Sequence, residues 1–138
     1  MTTVKITGVP FADIVPEIQE ALDTALAGTL NLQQGNLGRA NPKDTGRMSS
    51  SWFIGHNTPR RDYPKNWADK GRQVTEIEKY SGKITFDGTW YISNNVPYAL
   101  YIAYNYSPAA PQAQKDWFTS IANQTGVVFT RQFNKVKP

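Results

Sequence analysis

The sequence contains no cysteine and a single histidine, His56, and both scarcities limit its chemistry. Without cysteine there is no disulfide, no thiolate zinc site and no cysteine nucleophile. No stretch approaches the roughly 18 apolar residues of a membrane-spanning helix. The first residues, from Met1 to Ile6, lack the apolar core of a signal peptide. We therefore expect a protein that is made and assembled in the cytosol, with no membrane partner.

The distribution of nucleophiles, acids and bases does not favour an enzyme. His56 has no carboxylate at motif spacing and is most simply a histidine at a strand end. Serines 49–51 lack the Gly-x-Ser-x-Gly turn of a hydrolase nucleophile, and no phosphate-loop or dinucleotide fingerprint is present. The acids of the one conceivable metal cluster lie among basic residues or alternate along a predicted strand: Asp62, Asp69, Glu76 and Glu78. We expect no catalytic site, no metal site and no cofactor.

The formal net charge of +4 is unevenly distributed. Basic residues clearly outnumber acidic ones between Arg39 and Arg72, and the segment 57–72 also contains Tyr63 and Trp67. The first predicted helix, in contrast, carries only acids near its start, namely Asp13, Glu17, Glu20 and Asp23. This separation of charge predicts contacts between complementary surfaces.

The length of 138 residues fits one domain, which we assign to residues 1–138. Alternation predicts a short edge strand from Val4 to Thr7. A helix is predicted from Asp13, its N-cap, to Leu32. At helical spacing, one side of this helix carries the apolar positions expected to face the core: Ile14, Ile18, Ala21, Leu22, Ala25, Leu26 and Thr29.

The middle of the chain alternates between loop and strand patterns. Glycines and prolines predict a loop over 33–49, and a strand follows from Ser50 to His56. After the irregular segment 57–72, a meander of three strands is predicted. These strands are Val74–Tyr80, Lys83–Phe86 and Thr89–Ser93, with a two-residue hairpin turn at Asp87-Gly88.

The last third is predicted to be mainly helical. Pro97 to Tyr104 suggests one or two helical turns, and a helix is predicted from Pro111 to Thr125 with Gly126 as its C-cap. Val127 to Phe133 fits either a strand or a continuation of the helix, and residues 134–138 are expected to fray. The predicted fold is therefore α+β, with a mainly antiparallel sheet of about four strands, two packed helices and long loops.

Two short segments resemble a known family in their order and flanking elements. The first holds Asp44, Thr45, Gly46 and Arg47 and leads through a serine tract to Trp52. The second holds Asn94, followed by Pro97, Tyr98 and Ala99. Together they resemble the neck and tail-completion proteins of tailed phages, also described as minor tail or head-tail joining proteins. Two positions depart from the family pattern, since Ala103 stands where a Glu is common and Asn105 where a Gly is common.

The resemblance implies a structural virion protein with no enzymatic activity. Such a protein forms a homo-oligomeric ring, here expected to be a hexamer, at the neck or tail top. It joins connector and tail proteins and leaves a channel through which DNA passes without sequence-specific binding. The implied location is the head-tail junction of the virion, with assembly in the host cytoplasm.

Two placements of the basic segment 57–72 compete. It either lines the channel and touches DNA phosphates, or it reaches the acidic helix of a neighbouring subunit, which we favour. The candidate interface residues are Asp13, Glu17, Glu20, Arg60, Arg61, Lys65, Tyr104 and Tyr106. Two alternative functions remain: a nucleic-acid-binding module that uses the basic aromatic segment, and another subunit associated with the tail tube or sheath.

Overall fold

The fold is described from a computed structural model, which covers residues 2–7, 16–42, 48–61, 77–104 and 116–138. These residues form a three-stranded antiparallel sheet and four helices, an α+β arrangement. The strands are β1 (Thr2–Thr7), β2 (Phe53–His56) and β3 (Thr89–Asn94). The helices are α1 (Pro16–Ala40), α2 (Ala99–Tyr104), α3 (Trp117–Asn123) and α4 (Thr125–Val136).

The sheet has the order β1-β3-β2, so that β3 is central and β1 lies at an edge as predicted. Val4 and Ile54 both lie opposite Ile92, and all three side chains are buried. Because side chains alternate along a strand, this inner face packs on the helices. The outer face carries Ser93 and Tyr91 from β3.

Helix α1 supplies the longest wall of the core. Leu26, Leu30 and Leu37 are fully buried. Helix α4 runs antiparallel along α1, since Gln33 meets Thr125 and Gly28 meets Gln132. The predicted apolar stripe is confirmed at Ala21, Ala25, Leu26 and Thr29, which are all buried. It is wrong at Ile18, which is 40% exposed, and Leu22 is only half-buried. Ile14 and the predicted cap Asp13 lie outside the described residues.

The prediction of a loop from residue 33 is wrong, because α1 continues to Ala40. The glycines and amide side chains in this part of α1 have low helix propensity, but they make close contacts with other parts of the chain. The Nε2 group of Gln34 donates hydrogen bonds to the carbonyl oxygens of Trp52 (2.7 Å) and Glu78 (2.9 Å). A Cβ on Gly38 would lie 2.9 Å from the backbone oxygen of Ser49, so glycine permits the close approach.

Of the three strands predicted for the meander, the described residues contain one, β3. The described residues 77–86 form no strand, and Val74 to Glu76 lie outside the described part. Backbone groups of this segment bond to helical side chains instead of a ladder, since the Phe86 N–H donates to Asp23 Oδ1 at 2.7 Å. The prediction of about four strands is therefore too high for the described residues, and Asp87-Gly88 does not join two paired strands.

The helical prediction for the C-terminal third is confirmed in outline. Pro97 precedes the short helix α2 as expected, and the segment 127–133 is helical. The chain bends at Gln124, between α3 and α4, so Gly126 lies in the first turn of α4 and is not a C-cap. Helix α4 extends to Val136 and includes residues 134–136 of the end that was expected to fray. Residues 111–115 lie outside the described part.

Aromatic side chains complete the core between the sheet and the helices. Trp52 stacks on Phe118 with ring centroids 5.8 Å apart and meets Trp117 edge-on at 6.1 Å. Such edge and offset contacts add to the free energy gained from burial. In the described residues, no helix is both long enough and apolar enough to cross a membrane.

Candidate functional site

The two motif segments meet in the fold, although they are far apart in sequence. The Nδ2 group of Asn94 donates a hydrogen bond to the carbonyl oxygen of Met48 at 2.8 Å, across 46 positions of the chain. Its Oδ1 accepts from the N–H of Val96 at 3.2 Å. Asn94 is fully buried at the end of β3. One side chain therefore bonds both to the middle of the first segment and to the turn that starts the second.

Trp52 anchors the first segment in the core. Its indole Nε1–H donates to Asn41 Oδ1 at 3.0 Å, and its side chain is fully buried. Ser51 closes a turn, because its N–H donates to the Met48 oxygen at 3.0 Å. The motif residues Asp44, Thr45, Gly46 and Arg47 lie outside the described part of the chain.

The second motif segment has one buried side and one exposed side. Pro97 and Tyr98 are exposed, whereas Ala99 is buried with 2% of its surface accessible. Ala103, where the resembled family commonly has a Glu, is buried at 1%. The small side chains of Ala99 and Ala103 let α2 lie close to the core. This packing leaves no solvent-facing position for a charge at residue 103.

The beginning of the basic segment is attached to the outer face of the sheet. Asn57 has a φ of 63°, which reverses the chain after β2. The segment 58–60 then passes so close to Gly55 that a Cβ there would lie 2.5 Å from the Thr58 oxygen. The hydroxyl of Ser93 donates to the Arg60 carbonyl oxygen at 3.0 Å, and Asn95 Nδ2 donates to the Arg61 oxygen.

The Arg60 side chain already has partners within its own chain. Its guanidinium forms an ion pair with Glu78 (2.7 Å) and lies 4.2 Å from the ring centroid of Phe53. These two contacts hold the guanidinium group against its own chain. The next residue, Arg61, is exposed. The contact of Arg60 and Arg61 with a neighbouring subunit stays a prediction.

The acidic end of α1 borders open grooves. Glu17 and Glu20 are exposed, and Glu20 lies between two grooves of about 540 and 470 Å³. Lys83 lines the first groove and Val136 the second. Asp23 is half-buried and accepts the Phe86 hydrogen bond described above, so it is partly withdrawn from this surface. Among the other candidate interface residues, Tyr104 is 49% exposed. Asp13, Lys65 and Tyr106 lie outside the described residues.

His56 has structural partners at the end of β2. Its ring stacks on Trp90 with centroids 3.9 Å apart, and its Nε2 lies 3.0 Å from the Asp87 carbonyl oxygen. Serines 49–51 are buried. Among the described residues, no three or more His, Cys, Asp or Glu side chains gather as a group able to hold a metal ion.

Sequence reasoning did not identify the exposed apolar residues of the helices. Leu100 is 55% exposed on α2, Val127 is 46% exposed on α4 and Leu32 is 39% exposed on α1. A signal for them exists in the sequence, because each lies in a long run without charged residues. No family model matches the chain, and no curated protein or solved structure matches it either.

Proposed function

We propose that the chain is a structural subunit of a tailed phage, and that it forms a homo-oligomeric ring at the head-tail junction. In this role it joins the connector to the tail and leaves a channel for DNA. The ring is held by protein contacts and involves no catalytic step. The proposal rests on the resemblance of the two motif segments.

The observation that carries this proposal is the buried hydrogen bond from Asn94 to Met48. It supports treating the two segments as one structural unit, since neither segment alone is distinctive in sequence. Helix α2 then emerges from this unit with Leu100 and Tyr104 exposed. Tyrosine is enriched at protein interfaces, where its ring is buried and its hydroxyl keeps a polar partner. The arrangement suits a scaffold that presents a contact surface.

Phage particles that lack this subunit provide the test. We expect such particles to accumulate as separate filled heads and tails, and purified subunit added to the mixture to restore joined virions. Native mass spectrometry of the purified protein should show one closed oligomer. Normal joining without the subunit would overturn the proposal, and so would location of the protein away from the head-tail junction.

The alternative function, nucleic-acid binding, is distinguished from the structural role by how steeply the affinity for DNA depends on salt concentration. The exposed Arg61 at the start of the basic segment is the described residue that favours it. A protein that neutralises several DNA phosphates loses affinity steeply as salt rises. We expect the isolated subunit to bind DNA weakly, with a shallow salt dependence. Tight binding that falls steeply with salt would favour the nucleic-acid module instead.

A further inference from the structure

Strand β1 forms one edge of the sheet, and β3 is its only neighbouring strand among the described residues. Along a strand, the backbone N–H and C=O groups of successive residues point alternately to its two sides. The N–H of Asn57, which follows β2 directly, donates to the Thr89 carbonyl oxygen at 2.6 Å. Thr89 therefore points its backbone groups toward β2, and Trp90, the next residue, points its groups toward β1.

The register of the β1–β3 pair then identifies the backbone groups of β1 that face away from the sheet. Trp90 lies opposite Ile6, so the N–H and C=O of Ile6 point toward β3. By alternation, the residues whose backbone groups point outward are Thr3, Lys5 and Thr7. Within the described part of the chain, no hydrogen bond reaches these groups. Lys5 and Thr7 are also exposed, so β1 presents a row of free donors and acceptors.

The opposite edge of the sheet, at β2, is covered by the chain itself. Gln34 donates to the carbonyl oxygen of Trp52, just before β2, and to that of Glu78. Residues around Glu78 therefore lie beside this edge, and residues 53–55 of β2 are buried. Among the strands that the structure describes, β1 is the one with an open edge.

A strand that pairs with the β1 edge must bring an open edge of its own. A second copy of the chain supplies one in its own β1, and no other described surface of the chain does. Two copies of one strand pair antiparallel about a two-fold axis, which is the commonest symmetry of homo-oligomers. Such a contact closes on itself and covers an edge that would otherwise be open to uncontrolled pairing.

The charge of Lys5 selects the register of this pair. Residues whose groups face outward must lie opposite each other, and Lys5 opposite Lys5 of the second copy would bring like charges together. A shift by two residues in one direction pairs residues 5–7 only. A shift in the other direction places Thr3 opposite Lys5 of the second copy, where each pair exchanges both of its N–H···O bonds. It also places Val4 opposite Val4 of the second copy, an apolar pair on the inner face.

We propose that two copies of the chain pair through β1, edge to edge, and join their sheets into one. The contact ends at two chains, whereas a head-to-tail contact continues around a ring. The pairing therefore goes beyond the proposed function and does not depend on it.

Amide hydrogen exchange followed by NMR tests which N–H groups are bonded. In dilute protein we expect fast exchange at Thr3 and Lys5, and slow exchange at Val4 and Ile6, which bond to β3. At concentrations where native mass spectrometry shows the pair, exchange at Thr3 and Lys5 should slow about tenfold or more, because a bonded amide exchanges only when the contact opens. Fast exchange at both residues in the paired protein would overturn the proposal.

A proline at residue 5 tests the same bonds by substitution. Lys5→Pro removes an N–H that points outward, and edge strands tolerate proline at such positions. It should lower the paired fraction about tenfold or more, since half of the hydrogen bonds across the axis are lost. Lys5→Ala removes the charge but keeps the N–H, so pairing should persist. Circular dichroism should show both variants folded, and a folded Lys5→Pro protein that pairs normally would overturn the proposal. If Lys5→Pro does not fold, hydrogen exchange of the unmodified chain decides.

The remaining outcomes separate the pairing from the ring. A purified chain that forms a ring while Thr3 and Lys5 exchange rapidly would overturn the pairing and leave the ring standing. Protection of these amides only when another protein is added would also overturn the pairing, because a foreign strand would then cover the edge. A protected edge in a protein that lies away from the head-tail junction would support the pairing and overturn the proposed function.

Discussion

At the scale of single residues, buried amides connect parts of the chain that are distant in sequence. Gln33 joins α1 to α3 and α4, Gln34 joins it to Trp52, and Asn94 joins the two motif segments. All three side chains are buried. An amide inside a protein must be hydrogen-bonded to be tolerated, so each of these residues accepts only a few arrangements of its neighbours. The amides therefore specify the geometry in addition to stabilising it.

Asn94→Ala should destabilise the fold by about 1–3 kcal/mol, because the buried N–H of Val96 loses its acceptor and Met48 loses a donor. Urea unfolding followed by tryptophan fluorescence measures the change. Asn123→Ala is the matched control at an exposed position and should change stability by less than about 0.5 kcal/mol. Equal effects of the two substitutions would contradict the proposed connecting role of Asn94.

Thr2→Val should stabilise the protein by about 1 kcal/mol. The Oγ1 atom of Thr2 is buried without a hydrogen-bond partner, and valine has nearly the same shape without the hydroxyl. Thermal unfolding by calorimetry measures the gain. Thr3→Val, half-buried on the opposite face of β1, is the comparison and should have a smaller effect. A clear loss of stability in Thr2→Val would show that the hydroxyl is hydrogen-bonded.

At the scale of elements, two glycines in helices are expected to respond in opposite ways to alanine. Gly38→Ala should destabilise by about 1–3 kcal/mol, since the new Cβ would press on the backbone oxygen of Ser49. Gly126→Ala should stabilise by about 0.5–1 kcal/mol, because among the described residues no atom beyond its own turn of helix lies within 4 Å of its Cβ position, and alanine favours the helix. Chemical unfolding of both variants tests the pair, and a stabilising Gly38→Ala would refute the close approach.

Packing of α1 predicts a large difference between two of its apolar residues. Leu26→Ala should cost about 2–5 kcal/mol, because Leu26 is fully buried and the substitution leaves a cavity. Ile18→Ala should cost less than about 1 kcal/mol, since Ile18 is 40% exposed. For the half-buried Leu22, an intermediate loss is expected. The midpoints of urea unfolding, compared at constant m-value, measure the difference. Similar losses of stability from the substitutions at residues 18 and 26 would mean that Ile18 is covered in solution.

The elements that local chemistry specifies were predicted well. β1 alternates, Pro97 starts a helical segment, and α1 was recognised from its apolar spacing. The incorrect predictions concern segments whose structure depends on contacts with residues distant in the sequence. Gln33 and Gln34 keep α1 helical beyond Leu32 by bonding to residues far along the chain, and no local pattern reveals those acceptors. Residues 77–86 alternate as strands do, yet their backbone meets side chains such as Asp23.

At the scale of the whole molecule, the separation of charge predicts an electrostatic contact between the subunits of the proposed ring. Arg61→Glu should lower the oligomeric fraction several-fold, and Lys at both Glu17 and Glu20 should restore it. Arg60 is unsuitable for this test, because Arg60→Glu would also break its ion pair with Glu78. Native mass spectrometry over a range of salt concentrations measures assembly. Unchanged assembly combined with reduced DNA retention would place the basic segment in the channel.

The sequence by itself determined the absence of cysteine chemistry, the α+β class, the edge strand and the separation of acidic from basic regions. These properties follow from composition and short-range periodicity, which need no knowledge of distant contacts. Only the tertiary structure decided that α1 reaches Ala40, that Asn94 bonds to Met48 and that Arg60 is held by Glu78. Each of these depends on two groups separated by many residues, and buried hydrogen-bonding groups are satisfied by whichever partner the fold brings to them. The fold also decided that α2 buries Ala99 and Ala103 and exposes Leu100 and Tyr104.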